Sequence, residues 1–570
     1  MSDLKEYIVT LHNKEDLDDF YDDMETPGGN LYIPDRAVDL HLRRAISRNT
    51  HYMLTEEEAQ QVKNDPRVWD VEEEGLYELE PFGYEIDDAD FNKNATTTAS
   101  HINWGLLRHT QDSVAADWGN GSGEDPSQIQ DVTITSSGKN VDVLVVDGHI
   151  DDHHPELQVN PDGTGGHRVQ HFNWYGLNEQ LGRGANGNYQ YEPYTINTGT
   201  PEEIFDYNRG NNHGAHVAGT IAGSTLGWAR DANIYNINPF SASKGNPNGT
   251  ISGMWDYIRE WHNTKPINPE TGMRNPTVSN HSYGGSYKFN YGNFGPIVRI
   301  RYRGVEVEDL NGLSRAQLEA NGLTGPNSGG RPVIQVYGTS THADIQDAIA
   351  DGIIVITSAG NDSQRVVAPG DIDYDNMYWW ESLSTGNIIG PYWMNRGSSV
   401  GALPETINTG ALSANSDDRK TTFSTTGSRV DVFAAGDNIQ SATYSGQHGG
   451  PVIDSRAGGG NVPYTFGKKD GTSMAGPQVA GVAALLMEHY PRMTHAEVKQ
   501  WIIDNSIKDE MLDTGVMDDN SDLVSLQNAP NRMLKWVNQR PTSGATFPRK
   551  ESKTRPTSGV VYPRVDIRRS

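Results

Sequence analysis

The middle of the chain alternates between short apolar runs and helical segments. Runs rich in Val and Ile occupy positions 141–146, 353–356 and 430–433, and such runs are typical of strands buried on both faces of a parallel sheet. Helical patterns follow at 479–489 and 495–505. The alternation predicts an α/β fold, a three-layer sandwich in which helices cover a mostly parallel central sheet.

The first 95 residues follow another pattern, which predicts a small α+β domain. Residues 7–11 resemble a strand, and Thr55 with Glu58 forms a capping-box sequence that opens a helix. Pro66 ends that helix, and residues 67–71 alternate like an edge strand. Polar residues without apolar periodicity follow. The predicted units are residues 1–95, a linker and processing region at 96–101, a main domain at 102–530 and a tail at 531–570. Long Gly, Asn, Tyr and Pro-rich stretches within the main domain predict surface insertions at 160–210, 286–333 and 364–400.

The predicted tail is basic and repetitive. It holds ten Lys or Arg and two acidic residues, and the pattern RPTSGxx[FY]PR begins at Arg540 and again at Arg555. The segment is too polar and proline-rich to pack a core alone. It is interpreted either as a solvated tail or as two docking peptides that become ordered on a partner, and the repetition favours docking.

Composition narrows the classes of function. The 570 residues carry a net charge of −29, which argues against binding nucleic acid or an anionic membrane. The chain has no cysteine, which excludes disulfides, thiolate zinc sites, iron–sulfur clusters and a cysteine nucleophile. The N-terminus shows no signal-peptide pattern, and no window approaches eighteen uninterrupted apolar residues. We therefore expect a soluble protein without a membrane span.

Two blocks carry an acid and an imidazole. Asp147 ends a buried strand and so lies at the carboxyl edge of the sheet, where open α/β folds place their sites, although it could simply cap a turn. His213 begins a helix of small residues that can pack closely on the sheet. A metal site shared by His213 and His216 is the alternative, but no HExxH pattern occurs, and His216 is interpreted as a packed structural residue.

Two further blocks carry a hydroxyl and an amide. Ser473 begins an apolar helix whose first N–H groups favour a developing oxyanion. A plain N-cap serine would not explain the unbroken small residues around it, which allow a substrate backbone to approach. Asn361 follows a buried strand and could donate a hydrogen bond to an oxyanion, or it could form a turn.

Asp147, His213 and Ser473, in that order and with Asn361 between the last two, resemble the subtilisin-like serine peptidases. Other blocks resemble the same family: DGHIDDHHPEL at 147–157, SNHSYGG at 279–285 and WGL at 104–106. The resemblance covers about residues 102–505. Residues 7–11, 49–55 and 66–74 resemble the inhibitory propeptide of that family.

The resemblance implies a serine endopeptidase with a polypeptide substrate, made as a self-processing zymogen whose N-terminal domain inhibits it. Asp147, His213 and Ser473 would be the catalytic triad, with Asn361 in the oxyanion hole. The implied substrate-binding residues are Ser282, Tyr283, Gly284, Ser358, Ala359 and Gly360. We expect a preference for modest or apolar side chains.

The chain departs from the family pattern at several positions. Gly148, His149, Ala215, Gly476 and Gln478 replace the usual residues, yet none removes a catalytic group. The loop at 220–227 is short, and Glu156 replaces an aspartate of the family's strongest calcium site. We expect that the chemistry needs no cofactor; acidic insertions could hold structural calcium, but no metal ligand is named.

A second class of function stays open. The repeated basic tail and the missing signal pattern would suit a component of an assembly, for example a virus particle, that uses the protease fold as a structural or binding module. They also favour an intracellular or assembly-associated location over export through the Sec route. The complete set of catalytic residue types favours the enzyme.

Overall fold

The computed structural model describes the chain in several stretches. The described residues are 4–33, 40–44, 46–73, 104–110, 134, 136–148, 150–171, 212–239, 251–288, 297–321, 323, 333–335, 337–381, 386–414, 418–444, 452–453, 464–514 and 525–537. The predicted linker at 96–101, most of the predicted insertion at 160–210 and both C-terminal repeats lie outside them.

The strands, in chain order, are β1 (Lys5–Leu11), β2 (Leu40–Arg43), β3 (Asn49–Leu54), β4 (Val68–Glu73), β5 (Asp142–Val146), β6 (Val169–His171), β7 (Asn233–Ile237), β8 (Thr277–His281), β9 (Ser286–Lys288), β10 (Ile297–Tyr302), β11 (Val305–Glu308), β12 (Val333–Gln335), β13 (Ile354–Ser358), β14 (Met377–Glu381), β15 (Ile388–Trp393), β16 (Ile407–Leu412), β17 (Val432–Ala435), β18 (Ile439–Tyr444), β19 (Val452–Ile453), β20 (Tyr464–Lys469), β21 (Ile507–Lys508) and β22 (Arg532–Met533). The helices are α1 (Leu17–Glu25), α2 (Glu56–Lys63), α3 (Trp104–Arg108), α4 (Asn212–Ala222), α5 (Ile251–Thr264), α6 (Arg315–Ala320), α7 (Thr339–Asp351), α8 (Ser399–Ala402), α9 (Thr472–His489) and α10 (His495–Asn505).

The N-terminal domain contains a four-stranded antiparallel sheet with the order β2-β3-β1-β4. Helices α1 and α2 supply Phe20, Met24 and Val62 to its apolar core. The capping box predicted at Thr55 and Glu58 is present at the start of α2. This end of the molecule is therefore α+β, as predicted.

A nine-stranded sheet forms the centre of the main domain. Its order is β21-β22-β17-β16-β13-β8-β5-β7-β6, and its inner pairs are parallel. Non-consecutive neighbours require crossover connections, which helices supply. The structure thus confirms the predicted mostly parallel central sheet.

Residues of β5 alternate between two apolar layers. Val143 and Val145 pack in one core cluster with residues of α4 and α9, whereas Leu144 and Val146 pack in another with residues of α5 and α7. Successive strand residues point to opposite faces, so helices cover both sides of the sheet. This arrangement is the predicted three-layer sandwich.

Smaller sheets lie around this frame. Strands β10, β11, β14 and β15 form a four-stranded sheet, and β18, β19 and β20 form a three-stranded one. Strands β9 and β12 pair at the two ends of the predicted insertion at 286–333.

No helix within the described stretches is long and apolar enough to cross a bilayer.

The main domain extends beyond its predicted limit at residue 530. Strand β22 pairs in parallel with β17, and Leu534 and Trp536 are buried in the core that contains α9. The predicted boundary is therefore too early, because the basic composition that follows concealed a two-residue strand and its apolar neighbours.

Candidate active site

Three parallel strands bring chemistry-bearing residues to one edge of the central sheet. Strands β5, β8 and β13 are adjacent and fully buried. Asp147 follows the first, Ser282 the second and Ala359 the third. Because carboxyl ends of parallel strands share an edge, distant parts of the sequence meet there.

Asp147 and His213 are in direct contact. The Nδ1 atom of His213 lies 2.9 Å from each carboxylate oxygen of Asp147, and the Asp147 side chain has no exposed surface. Asp147 Oδ1 also accepts the N–H of Gly148 at 2.6 Å. An ionised carboxylate only accepts, so Nδ1 donates, and this tautomer makes Nε2 the nitrogen that can take a proton.

The glycine after His213 permits this contact. A Cβ at Gly214 would lie 2.4 Å from the carbonyl oxygen of Gly148 and 3.2 Å from Asp147 Oδ1. A side chain there would force helix α4 away from the end of β5. The small residues around His213 therefore determine how closely its imidazole approaches the carboxylate.

Ser473 is the second residue of α9, which packs against the helix that carries His213. Its Oγ donates to the carbonyl oxygen of Ser282 at 3.2 Å, and Ser282 Oγ donates to the carbonyl oxygen of Ser473 at 3.0 Å. Ser473 is 3% exposed. The hydroxyl is thus held at a helix N-terminus, where N–H groups and the helix dipole favour negative charge.

Asn361 is fixed by the residue that precedes Ser473. Its Oδ1 accepts the backbone N–H and the hydroxyl of Thr472, each at 2.8 Å. A backbone N–H can only donate, so the amide oxygen must face Thr472, and Nδ2 is the atom that remains as a donor. The Thr472 hydroxyl also accepts the N–H of Gly360 at 3.1 Å.

A small pocket opens beside Ser473. Its walls include five of the predicted site residues together with three residues that were not predicted as site residues: Tyr283, Gly284, Ser358, Gly360 and Ser473, with Gly285, Gln335 and Ser398 added. Ser282 and Ala359, which were also predicted to bind substrate, are not among the described lining residues. Ser282 bonds to Ser473, and the N–H of Ala359 donates to Thr409 O at 2.9 Å.

Two pocket residues carried no recognisable signal in the sequence, whereas one residue that orients Asn361 did. Gln335 and Ser398 reach the pocket from segments remote from every motif, and the pairing of β12 with β9 brings Gln335 there. Thr472 had a usable signal, because it is a hydroxyl residue directly before Ser473 at the helix start.

His216 is buried among backbone carbonyls. Its Nε2 lies 2.7 Å from Ile439 O and 3.2 Å from Gly467 O, and burial lowers the pKa of its imidazole well below the usual value. A neutral, fully buried imidazole suits the packed structural role predicted for it. Over the described stretches, the group whose ligand atoms come close enough to share a metal ion is Asp151, Asp152 and His153, not the two histidines of α4.

Glu156 binds the short loop after α4. Its Oε1 accepts the N–H groups of Thr225 and Leu226 at 2.8 and 2.6 Å, and its Oε2 accepts the Thr225 hydroxyl at 2.8 Å. The carboxylate is fully buried. Both carboxylate oxygens thus accept hydrogen bonds from the protein itself. Structural calcium in the acidic insertions stays a prediction.

Comparison with known proteins gives a consistent picture. The family model described as "Subtilase family" matches residues 138–532. Subtilisin E of Bacillus subtilis (strain 168) is 25% identical over 368 residues, which is 64% of this chain and 59% of that protein. Alkaline serine exoprotease A of Vibrio alginolyticus is 24% identical over 462 residues, or 81% of this chain and 55% of that protein. The chain thus spans less than two thirds of each of these relatives.

Solved structures show related similarities. A cold-adapted subtilisin-like serine proteinase aligns with 76% of this chain and 98% of its own, at 21% identity and a TM-score of 0.40. Fervidolysin from Fervidobacterium pennivorans, a keratinolytic enzyme related to subtilisin, aligns with 94% of this chain and 60% of its own, at 17% identity and a TM-score of 0.47.

Proposed function

The chain belongs to the subtilase family, and we propose that it is a serine endopeptidase that acts through Asp147, His213 and Ser473. The observation that carries the proposal is the buried hydrogen bond from His213 Nδ1 to Asp147, on a helix packed against the one that presents Ser473. An imidazole fixed in this tautomer can serve as a general base.

The reaction follows from these roles. Ser473 Oγ attacks the carbonyl carbon of a peptide bond while His213 Nε2 takes its proton. The imidazolium is stabilised by Asp147 and returns the proton to the leaving amine, and water then hydrolyses the acyl-enzyme by the same route. The Nδ2 of Asn361 and the backbone N–H of Ser473 stabilise the oxyanion.

The substrate is a polypeptide that lies extended along the edge of the pocket. Its backbone pairs with Ser282, Tyr283 and Gly284, as a strand added to the end of β8. Residues 358–360 form the opposite wall. Gly360 has a φ of +108°, and a Cβ there would lie 2.5 Å from the side chain of Gln335, so this turn requires glycine.

Covalent labelling tests the assignment. A serine-reactive phosphonate should modify the wild type and the control Ser314→Ala, whose replaced serine is exposed and does not line the pocket. The same reagent should leave Ser473→Ala unmodified. Labelling of Ser473→Ala at the wild-type rate would refute the catalytic assignment.

The N-terminal domain is proposed to be an inhibitory propeptide, and a buried ion pair supports this. Arg44 Nε and Nη2 lie 2.9 and 2.8 Å from the two carboxylate oxygens of Asp256 on α5. Nη2 also lies 3.0 Å from Asp344 on α7. These side chains are at most 1% exposed, so the domain is docked on the main domain through a desolvated charge cluster.

A second contact joins the same domain to the start of α7. Glu72 accepts the backbone N–H of Thr339 at 2.9 Å and that of Ser340 at 2.6 Å, and Asp70 accepts the Thr339 hydroxyl at 2.7 Å. Carboxylates thus satisfy N–H groups that a helix start leaves unpaired. The contact supports a domain that recognises this surface specifically.

Self-processing has a direct test. Mass spectrometry of the wild type should find a chain that has lost about its first 95–101 residues, because the polar linker there is the predicted cleavage region. Ser473→Ala should keep the intact mass. Equal masses for the two proteins would remove the support for a zymogen.

The role of the C-terminal repeats is a separate proposal about partners. Repetition of both the aromatic residue and the arginines favours docking on an assembly or host component. Full-length protein should co-sediment with the native particle or host fraction, and a version truncated before Arg540 should not. Identical sedimentation of the two would discard the docking role.

A further inference from the structure

A buried asparagine of β7 lies beside the strand that leads to Asp147. Asn236 pairs in register with Val145 of β5, and it has no exposed surface. Because side chains alternate along a strand, Asn236 shares the face of Ile234, which packs in the core cluster that contains residues of α4. A polar side chain in such a layer is unfavourable unless it forms hydrogen bonds, so the partners of its amide indicate what the residue does.

The amide of Asn236 forms three hydrogen bonds with the backbone of residues 145–150. Its Nδ2 donates to Val145 O and to Gly148 O, each at 3.3 Å, and its Oδ1 accepts the N–H of Ile150 at 3.3 Å. A carbonyl oxygen can only accept and a backbone N–H can only donate, so these partners fix the orientation of the amide. One side chain therefore holds the backbone both before and after Asp147.

The pairing of β5 with β7 ends where this turn begins. Its last paired residues are Val146 and Ile237, and the N–H of Asp147 adds a bond to Ile237 O at 3.1 Å. The next residue, Gly148, donates its N–H to the Asp147 carboxylate at 2.6 Å. Glycine has more conformational freedom to lose than any other residue, so a turn that contains it needs further contacts to keep one conformation. Asn236 supplies such contacts.

The carbonyl group of Gly148 also lies where the turn meets the helix that carries His213. A Cβ at Gly214 would lie 2.4 Å from Gly148 O, so the backbone of the turn and the start of α4 are in close contact. Asn236 donates to the same oxygen atom. A shift of the turn would therefore change the separation between the Asp147 carboxylate and the imidazole.

We propose that Asn236 is a positioning residue for catalysis, which fixes the turn after β5 so that the Asp147 carboxylate stays within hydrogen-bonding reach of His213 Nδ1. Asn236 is not among the described residues that line the pocket beside Ser473, so it acts through Asp147 and not on the substrate. The inference rests on the proposed function, because it presumes that the imidazole is the general base. Without the amide the turn should occupy several positions, and fewer molecules would present a correctly oriented base.

Asn236→Leu tests this assignment, with Asn376→Leu as a matched control. Leucine is nearly equal to asparagine in size but cannot form the hydrogen bonds. Asn376, directly before β14, is also buried; its amide donates to Asp373 Oδ1 and Asn395 Oδ1 and accepts the N–H of Arg303. Each variant thus loses two donated bonds and one accepted bond, so the two should lose similar thermal stability.

The two variants should differ in catalysis. In full-length protein after any processing is complete, Asn236→Leu should lower kcat about 10- to 100-fold and change KM by less than about twofold. The value is taken per Ser473 that a phosphonate labels at completion, so a lower folded fraction cancels. Asn376→Leu should keep the wild-type kcat. Proton NMR gives a second readout: the resonance of the His213 Nδ1 proton, which a hydrogen bond to a carboxylate moves downfield, should move upfield or disappear in Asn236→Leu alone.

A wild-type kcat with an unchanged Nδ1 resonance in Asn236→Leu would overturn the inference and leave the peptidase proposal standing. Equal losses of kcat in Asn236→Leu and Asn376→Leu would also overturn it, because the loss would then come from general destabilisation. If Asn236→Leu does not fold, Asn236→Ala, which leaves room for water to bond the freed backbone groups, replaces it with the same expected losses. Failure of the phosphonate to label Ser473 in the wild type would instead overturn the proposed function.

Discussion

Nδ1 of His213 lies 2.9 Å from both carboxylate oxygens of Asp147, with the carboxylate fully buried. Asp147→Asn replaces an acceptor with an amide whose NH₂ group can donate to Nδ1, which would favour the wrong tautomer. We expect kcat to fall about 10⁴-fold, as for the same change in other enzymes with this triad. Asp231→Asn, at an exposed position, should keep wild-type kcat. A loss below tenfold for Asp147→Asn would contradict its role.

Asn361 and Thr472 should contribute unequally to the stabilisation of the transition state. Asn361→Ala removes an oxyanion donor, so kcat should fall about 100- to 1,000-fold with little change in KM. Thr472→Val removes the hydroxyl bonds to Asn361 and Gly360 but keeps the backbone N–H, so kcat should fall only about 2- to 10-fold. Steady-state kinetics on one peptide substrate measures both. Equal losses, or losses confined to KM, would show that Asn361 does not act on the oxyanion.

Much of the candidate active site could be predicted because its signals are local. A buried strand followed by Asp147, and a helix of small residues with Ser473 in its first turn, each have a pattern within about ten positions. The parallel sheet then brings their ends together. The same reasoning gave both covering layers, because residues of β5 had to be buried on both faces.

The rest of the pocket wall could not be predicted because its position depends on distant pairing. Gln335 reaches the pocket beside Ser473 only through the pairing of β12 with β9, and nothing in the surrounding sequence distinguishes it from a surface glutamine. The final strand β22 was missed for the same reason. Two residues give no periodicity, and the partner strand β17 lies about a hundred positions earlier.

Arg44 should anchor the N-terminal domain. Arg44→Met leaves the carboxylates of Asp256 and Asp344 buried without their cation, so docking should weaken by about 3–5 kcal/mol. In the Ser473→Ala background, which should keep the chain intact, amide hydrogen exchange of α5 and α7 should accelerate. Lys5→Met, which removes a surface pair, should change docking by at most about 1 kcal/mol. Unchanged exchange in Arg44→Met would mean that the ion cluster does not hold the domain.

Docking should also depend on pH through Glu72. Burial of its carboxylate raises the pKa of Glu72 to about 7, and the neighbouring Asp70 adds to the rise. Between about pH 4.5, the ordinary pKa of a glutamate, and pH 7, Glu72 therefore keeps its proton while the domain is docked. In an undocked domain the same carboxyl group has lost its proton over that range. The stabilisation of the docked state by this proton is complete below the lower pKa and is lost as the pH rises through the higher pKa. Docking should therefore weaken from pH 5 to pH 8.

Hydrogen exchange at the start of α7 measures this effect, because Thr339 and Ser340 donate their N–H groups to Glu72. In full-length Ser473→Ala, protection of these amides, corrected for intrinsic exchange, should fall about tenfold or more between pH 5 and pH 8. Glu72→Gln should reduce the slope. Part of the pH dependence should remain in this variant, because burial also raises the pKa of Asp344, to about 6. Glu57→Gln, at an exposed position of α2, should keep the full slope. If Glu72→Gln and Glu57→Gln gave the same slope, the pH dependence would have to come from groups other than Glu72.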